Sequence, residues 1–230
     1  MQFSNKQVLI VEDQRPFLLL LKGLMHSMGA SDVVTKSSAE QAVSLCKKHK
    51  FDIVICDLHL GADNKNGYEL IEELRTRRLI SPTSVFILIS ADSARPIVLG
   101  SIERRPDDFL IKPFSQVQLK SRIVRAWQKR QFLQQAFSLI EQGEINSAID
   151  HIEALLDAPS HYKGHCEQLL VELRIKQPDK ALDVLRDYIY GKPVLWAHIA
   201  IGQTYLLLKA YEKAISIAKR TTKRNRLTAE

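Results

Sequence analysis

The sequence predicts an α/β doubly wound five-stranded parallel sheet followed by an all-α helical region. Two observations carry this prediction. In the first 114 residues, short runs of branched apolar residues alternate with segments of helical periodicity, which is the pattern of βα units. After about residue 115 the strand-like runs disappear, and helical segments with an internal period of 33 residues follow.

Five segments have the composition of β-strands. Four are rich in Val, Ile and Phe, and a weaker one lies at 32–35. The four strong runs are Val8–Val11, Phe51–Cys56, Val85–Ile89 and Phe109–Ile111. Uninterrupted apolar runs of this length are typical of parallel strands that helices cover on both faces. The segments therefore predict one buried parallel sheet.

Helical patterns lie between the predicted strands. Pro16 occupies a first-turn position of the first helix, and Gly29 ends that helix. Ser38 is suited to cap the second helix, and Gly67 precedes the third. The alternation of strands and helices predicts five βα units in about 130 residues, which indicates a doubly wound fold.

The second half of the chain is predicted to be a helical repeat. Three similar segments contain alanines separated by two equal steps of 33 residues, namely Ala148, Ala181 and Ala214. Pro159 and Pro193 follow the first two alanines, where a second helix should stop. This period suits a stacked helix-turn-helix array of about three units, close to the minimum for a stable core.

The length of 230 residues suits one large or two modest domains. We place a first domain at 1–128 and a helical-repeat domain at 129–230. A long helix around 116–142 is expected to be shared by both.

The composition is that of a globular protein, with 45% hydrophobic and 26% charged residues. Even the apolar run Phe17–Leu21 stops at Lys22, far short of the roughly 18 residues of a membrane span, and no apolar signal core opens the chain. Three cysteines without paired spacing indicate neither a disulfide framework nor a zinc site. We therefore expect a soluble, cytoplasmic protein with no membrane partner.

The net charge of +7 lies mostly in the second half. Residues 1–114 hold 15 Lys+Arg and 14 Asp+Glu, whereas residues 115–230 hold 18 and 12. Basic clusters at 120–130 and 219–226 account for much of the excess. Such clusters suit an anionic partner, either nucleic acid or an acidic protein surface, and a solvated helix face is the structural alternative.

Polar residues suited to a site stand where the predicted strands end. Glu12 and Asp13 follow the first strand, Asp57 the third, Ser90 the fourth and Lys112 the fifth. Ligands of a doubly wound sheet bind outside the carboxyl ends of its strands. Three carboxylates converging there need a counter-charge, and Mg²⁺ with oxygen ligands provides it. A lysine and a serine are then suited to bind phosphoryl oxygens.

This constellation resembles the receiver domain of two-component response regulators, over about residues 5–128. The residues that carry the resemblance are Glu12-Asp13, Asp57, Ser90-Ala91 and Phe109–Phe114. The resemblance implies a flavodoxin-like sheet in which Asp57 is the phosphoacceptor. The partner it implies is a sensor histidine kinase or a phosphotransfer protein, whose phosphohistidine Asp57 attacks.

The resemblance also implies roles for the other pocket residues. The implied Mg²⁺ ligands are Glu12, Asp13, Asp57 and the backbone carbonyl of His59. Ser90 and Lys112 are implied to bind the transferred phosphoryl group, and Phe109 to turn inward with Ser90 as a switch on activation. A cis bond is implied between Lys112 and Pro113.

Two segments depart from the family pattern. The loop 58–67 is longer than usual and lacks the common proline, and Arg105-Pro106 stands where Gly-Ala is typical. Neither departure removes a reactive group, so we expect them to affect rates and partner surfaces. His59 and Asp92 flank the pocket, where variation within the family tunes dephosphorylation.

Residues 129–230 resemble tetratricopeptide repeats. The third unit carries the resemblance best, with Gly202, Tyr205, Tyr211 and Ala214 in near-consensus spacing. Such arrays bind peptides or partner helices, and an unrelated helical bundle is the alternative. The region has no glycine-rich phosphate loop, no His-Glu metal pattern and no helix-turn-helix readout segment.

We therefore expect a response regulator of a phosphorelay that takes a phosphoryl group on Asp57 and changes how its helical repeats engage a protein partner. It is expected to be no enzyme beyond self-phosphotransfer and autodephosphorylation, and homodimerisation is left open. The alternative is a nucleic-acid-binding regulator that uses the clusters 120–130 and 219–226. A third class, an aspartyl-phosphate hydrolase of the haloacid dehalogenase type, is disfavoured because His59 stands where that group carries a second aspartate.

Overall fold

The computed structural model describes residues 2–61, 65–91, 105–157, 160–190 and 194–226. The chain divides into two compact units, Met1–Gln134 and Gln135–Glu230. We call them the N-terminal unit and the C-terminal unit. The division falls inside the segment 116–142.

The N-terminal unit contains the predicted five-stranded parallel sheet. Its strands are β1 (Gln7–Val11), β2 (Asp32–Lys36), β3 (Ile53–Asp57), β4 (Val85–Ser90) and β5 (Asp108–Ile111). They are all parallel and lie in the order β2-β1-β3-β4-β5, so the strand order reverses between β1 and β3. The doubly wound fold is thereby confirmed, and its reversal point identifies the edge at which a ligand is expected.

Helices cover both faces of this sheet. They are α1 (Arg15–Ser27), α2 (Ala39–Cys46), α3 (Gly67–Thr76) and α4 (Gln116–Phe132). Because strand side chains alternate between faces, Leu9 of β1 enters the core under α2 and α3, whereas Ile10 enters the core under α1 and α4. The near-continuous apolar composition of the strands follows from burial on both sides.

Local sequence sets the ends of these helices. The Ser38 hydroxyl accepts from the Gln41 N–H, as predicted, and Asn66 forms a capping box with Glu69 at the start of α3. Gly29, just beyond α1, has φ +95°, a conformation that favours glycine. These residues fix where each helix begins or ends.

The segment 116–142 consists of two helices instead of the single predicted one. Helix α4 ends at Phe132, and α5 (Gln134–Gln142) begins two residues later. Leu133, between them, has φ −94° and ψ 7°, which lies outside the α-helical region. Its N–H still donates to the Lys129 carbonyl oxygen, so the interruption is confined to this one residue.

In its described residues the C-terminal unit is helical throughout. After α5 come α6 (Ile145–Asp157), α7 (Lys163–Leu173), α8 (Pro178–Tyr188), α9 (Leu195–Leu207) and α10 (Tyr211–Arg226). The prediction of a helical second half is confirmed. Pro159 and Pro193 lie outside the residues that the structure describes. Among the helices described, none combines the length and the apolar character needed to cross a membrane.

Candidate functional site

Two buried carboxylates meet at the carboxyl ends of β1 and β3. These strands pair in parallel with Val11 opposite Cys56, so the residues that follow, Glu12 and Asp57, lie at neighbouring positions. Glu12 is fully buried, and Asp57 is 5% exposed. This is the edge of the sheet at which the strand order reverses.

Asp13 completes an acidic group with these two residues. One carboxylate oxygen each from Glu12, Asp13 and Asp57 lies within 4.8 Å of the others. The Asp13 residue is exposed, so the group opens to solvent on its side. Three carboxylates at such distances repel one another, and a bound divalent cation relieves the repulsion.

Lys112 is the cation that the chain itself supplies. Its Nζ lies 2.8 Å from Asp57 Oδ2 and 3.1 Å from Glu12 Oε2. The backbone N–H of Lys112 donates to the Ser90 carbonyl oxygen at 2.7 Å, which joins β4 to the loop after β5. The bond between Lys112 and Pro113 is cis, as the family resemblance implies. We call Glu12, Asp13, Asp57 and Lys112 the acidic pocket.

An aromatic side chain that the sequence reasoning missed also contacts the lysine. Lys112 Nζ lies 3.9 Å from the centroid of the Phe17 ring, and Phe17 packs edge-on against Phe114 at 5.9 Å between centroids. The ammonium therefore has two carboxylates and one ring face as neighbours. The available signal was an aromatic residue directly after Pro16, in the first turn of α1.

Burial is the main influence on the pKa of Glu12 in the acidic pocket. Burial of Glu12 and, secondarily, repulsion from Asp57 raise the pKa of Glu12 to about 7, although its hydrogen bond from Lys112 acts in the opposite direction. One ammonium thus does not neutralise the three carboxylates. The pocket has a surplus of negative charge that a cationic ligand can bind.

The structure places the two predicted switch residues on the same side of the sheet. Ser90 is the last residue of β4 and is fully buried, and Phe109 of β5 is 8% exposed. Phe109 pairs with Leu88, two residues before Ser90, and enters the core under α2 and α3 with it. Ser90 and Phe109 therefore lie on one face of the neighbouring strands β4 and β5.

The loop after β3 returns tightly against the site. The Gly67 N–H donates to the Leu58 carbonyl oxygen at 2.9 Å. A Cβ on Gly67 would lie 2.4 Å from Leu88 Cδ2 and 2.7 Å from the Asp57 carbonyl oxygen, so only glycine fits there. The His59 side chain is exposed, and the role of its carbonyl stays a prediction. Asp92 lies outside the described residues.

A second cluster of charges, which the sequence reasoning did not find, lies at the opposite edge of the sheet. Asp107, just before β5, accepts from Arg130 Nε at 2.6 Å and from the Phe86 N–H at 2.9 Å. Lys129 Nζ and an Arg75 nitrogen lie 3.6 Å and 3.7 Å from its carboxylate. We call Asp107, Arg75, Lys129 and Arg130 the basal cluster.

The three cations of the basal cluster stabilise the ionised form of Asp107. Burial, the largest influence, raises the pKa of Asp107, but attraction to Arg130, Lys129 and Arg75 keeps that pKa below its ordinary value. The side chains of Asp107 and Arg130 are 1% and 2% exposed. The basal cluster is a buried ion-pair network that ties the end of α4 to the base of the sheet.

Asp107 and Asp108 together pair with most of the basic residues in the segment 120–130. Arg122 and Arg125 pair with Asp108 at 3.2 Å and 2.7 Å, next to the basal cluster itself. The signal that would have revealed this is the acidic pair at 107 and 108, opposite a helix with basic residues at helical spacing. Most of this basic segment therefore already has carboxylate partners within the fold.

Comparison with known proteins finds similar sequences among transcriptional regulatory proteins. The alkaline phosphatase synthesis transcriptional regulatory protein PhoP of Bacillus subtilis is 30% identical over 173 residues, which are 75% of this chain and 69% of that protein. The alginate biosynthesis transcriptional regulatory protein AlgB of Pseudomonas putida is 28% identical over 153 residues, or 66% of this chain, but only 32% of AlgB is spanned.

Part of the chain is also similar to solved structures. The response regulator TrrA of Thermotoga maritima, in complex with Mg²⁺-BeF, is 25% identical with a TM-score of 0.46, over 53% of this chain and 98% of that one. The sequence pattern of the response regulator receiver domain matches residues 8–124, which is more than half of the 230 residues. The chain therefore belongs to the response regulator receiver domain family.

Proposed function

We propose that this protein is a phosphoacceptor of a two-component phosphorelay that takes a phosphoryl group on Asp57 in the presence of Mg²⁺. The donor is a sensor histidine kinase or a phosphotransfer protein. The observation that carries the proposal is the meeting of three carboxylates, with one ligand atom from each within 4.8 Å of the others, together with the contact of Lys112 with two of them. Oxygen donors in a negatively charged pocket fit Mg²⁺, and TrrA binds it together with BeF.

The chain's own residues have distinct parts in this transfer. An Asp57 carboxylate oxygen forms the new P–O bond as the P–N bond of the donor phosphohistidine breaks, and the imidazole leaves with that electron pair. Glu12, Asp13 and Asp57 would hold Mg²⁺, with the His59 carbonyl as a further ligand, and the bound ion would neutralise charge on the phosphoryl oxygens. The task left to the protein is to position the groups and balance their charge.

Lys112 and Ser90 then receive the product. The Lys112 ammonium is already 2.8 Å from Asp57 Oδ2, so it is positioned to bind a phosphoryl oxygen on the same residue. Phosphorylation adds about −1.5 to −2 charge at this point. Movement of Ser90 toward the phosphoryl group would open space for Phe109 to turn inward, which changes the surface around β4 and β5.

The output is proposed to be protein binding through the C-terminal unit, a helical array of tetratricopeptide type. Ala148, Ala181 and Ala214 each occupy the fourth position of a helix, in α6, α8 and α10, and all three are buried. Equivalent small residues at equivalent helical positions support a repeat, since they let paired helices approach closely. The protein is then a signalling adaptor with no turnover of a separate substrate.

The test is phosphorylation in vitro. Wild type, Asp57→Asn and the control Asp32→Asn, which alters an exposed carboxylate on β2, are incubated with acetyl phosphate and Mg²⁺, or with EDTA. Intact-protein mass spectrometry should show one phosphoryl group on wild type and on the control, only with Mg²⁺, and none on Asp57→Asn. A wild type that gains no phosphate, or equal labelling of Asp57→Asn, contradicts the proposal.

A second candidate function is regulation through nucleic acid. It is favoured by PhoP and AlgB, which are transcriptional regulatory proteins, and by the basic segment at 219–226. The segment 120–130 supports it less, because Arg122, Arg125, Lys129 and Arg130 pair with carboxylates. A salt titration of binding to a DNA duplex separates the two candidates, because phosphate contacts make affinity fall steeply with salt.

A further inference from the structure

Helix α9 is largely apolar around its circumference, with Gln203 as an exposed polar residue, yet only part of it is covered. Its 13 residues, Leu195–Leu207, include no Asp, Glu, Lys or Arg. Ala197, Ala200 and Ile201 are buried against the rest of the C-terminal unit. By contrast, Ile199 and Leu206 remain 48% and 54% exposed. A helix with apolar residues all round is normally buried on all sides, so the exposed side of α9 is suited to a partner.

The exposed side of α9 forms one wall of a groove. A cavity of about 420 Å³ runs between α9 and α10. Ile199 and Leu206 line it from α9, and Ile215, Ala218 and Thr222 line it from α10. Small side chains on α10 lie beside the larger isoleucine and leucine side chains, so the surface has ridges and grooves. Such a surface is suited to pack against another helix. We call this the α9–α10 groove.

The charge of α10 is predominantly positive, with Glu212 in the first turn as the acidic residue of this helix. From Lys213 to Arg226, α10 has basic residues but no acidic one, and α9 has none of either kind. Lys219 and Arg220 are exposed. Lys219 lies one helical turn after Ile215, so the same side of α10 presents an apolar and a cationic residue in sequence.

We propose that the α9–α10 groove binds an acidic amphipathic helix of a partner protein. The apolar face of that helix packs on Ile199, Leu206 and Ile215, and its carboxylates face Lys219 and Arg220. The inference deepens the proposed function, since it specifies the partner through which the C-terminal unit acts. A nucleic acid would use the cations but gain nothing from the apolar floor, and a second copy of this chain presents the same positive charge, which repels.

The test uses two labelled peptides of about 18 residues and the full-length chain. Both peptides have leucines at positions i, i+3, i+4 and i+7, and the remaining positions are mostly glutamate in one and lysine in the other. Fluorescence anisotropy should show that the glutamate peptide binds at least about 10-fold more tightly than the lysine peptide, and that the difference shrinks at 1 M NaCl.

Variants locate the site. Ile215→Asp should weaken binding of the glutamate peptide about 10-fold or more, whereas Ile175→Asp, at another highly exposed isoleucine, should leave it unchanged. Lys219→Glu should weaken it less and reduce its sensitivity to salt, and Lys48→Glu is the charge control on the N-terminal unit. Circular dichroism of each variant verifies that the exposed substitution leaves the helices folded.

Three outcomes overturn the inference. The first is equal binding of both peptides, or binding that Ile215→Asp leaves intact. The second is a dimer in light scattering that Ile215→Asp dissociates, since it assigns the groove to a second copy. The third is binding of a DNA duplex that Lys219→Glu abolishes and Ile215→Asp does not. Failure of Asp57 to take phosphate contradicts the proposed phosphorelay role instead, so the two failures are distinguishable.

Discussion

The acidic pocket and the basal cluster lie at opposite edges of one sheet, and both place charges out of water. In the acidic pocket, three carboxylates lie together and the single ammonium of Lys112 contacts two of them. In the basal cluster, the single carboxylate of Asp107 has three cationic neighbours, with its N–H bond from Phe86 in addition. The first has uncompensated negative charge, and the second has its one carboxylate fully paired.

This difference separates a site from a structural contact. A buried carboxylate with full compensation stays ionised and ties elements together, as the lowered pKa of Asp107 indicates. A buried carboxylate without full compensation by cationic neighbours is harder to ionise, as the raised pKa of Glu12 indicates. Binding of a cation favours its ionised form. The grouping of carboxylates in the acidic pocket therefore has an electrostatic cost, and binding of a cation reduces that cost.

Removal of the paired carboxylate should have the largest effect on stability. Asp107→Asn should lower the free energy of unfolding by about 3–5 kcal/mol, because it leaves buried cations without their partner. The control is Asp108→Asn, whose partners Arg122 and Arg125 are 35% and 60% exposed, and it should lose less than about 1 kcal/mol. Urea unfolding measures both. Equal losses would show that the basal cluster is no stronger than a surface pair.

The acidic pocket should respond to pH in the opposite sense from a paired carboxylate. The pKa of Glu12 rises from an ordinary 4.5 to about 7 on folding, so the folded state holds a proton that the unfolded chain releases. In EDTA the stability should therefore fall by up to about 3 kcal/mol as pH rises from 4.5 to 7. Glu12→Gln should remove this fall and Glu72→Gln should not. Added Mg²⁺ should reduce it, whereas stability that rises over this range would refute the comparison.

The tight packing of the loop after β3 against Asp57 can be tested by substitution of Gly67. A Cβ there meets Leu88 and the Asp57 carbonyl oxygen well inside contact distance, so Gly67→Ala should lower the stability by about 1–3 kcal/mol and slow phosphorylation. Gly23→Ala in α1 is the matched control, because nothing lies within 4 Å of its Cβ position. That change should be neutral or stabilising by up to about 1 kcal/mol. Unfolding and phosphate uptake are measured together, and equal behaviour of both variants would show that the loop adjusts freely.

The smallest effect is expected at Phe17, whose ring faces Lys112. Phe17→Leu removes a cation–π contact worth about 0.5–1 kcal/mol, so the rate of phosphorylation by acetyl phosphate should fall about 2- to 5-fold. Phe17→Tyr keeps the ring face and should retain the rate. A Phe17→Leu protein that reacts as fast as wild type would show that the two carboxylates alone position the lysine.

Several features of the fold could be read from local sequence. The apolar runs that became β1, β3 and β4 are continuous because parallel strands are buried on both faces. Ser38 and Gly29 acted as cap and terminator because these properties depend on a few neighbouring residues. The break at Leu133 was not predicted, since the helical pattern of 116–142 has no glycine or proline to signal it.

The acidic pocket was predictable for a topological reason. The carboxyl ends of parallel strands meet at one edge, so Glu12, Asp57 and Lys112 had to converge once the strands were assigned. The basal cluster was not predictable in this way. Arg75, Asp107 and Arg130 come from two helices and a loop, and their meeting depends on how α3 and α4 pack on the sheet.

Periodicity and strand ends are local properties, so the sheet, the helical second half and the residues of the acidic pocket were predictable from the amino-acid sequence. Which charges are paired depends on the folded structure. In the fold, basic residues near 120–130 pair with Asp107 and Asp108, and burial raises the pKa of Glu12. Pairing and burial depend on distances between segments far apart in the chain, and no pattern within one segment contains them.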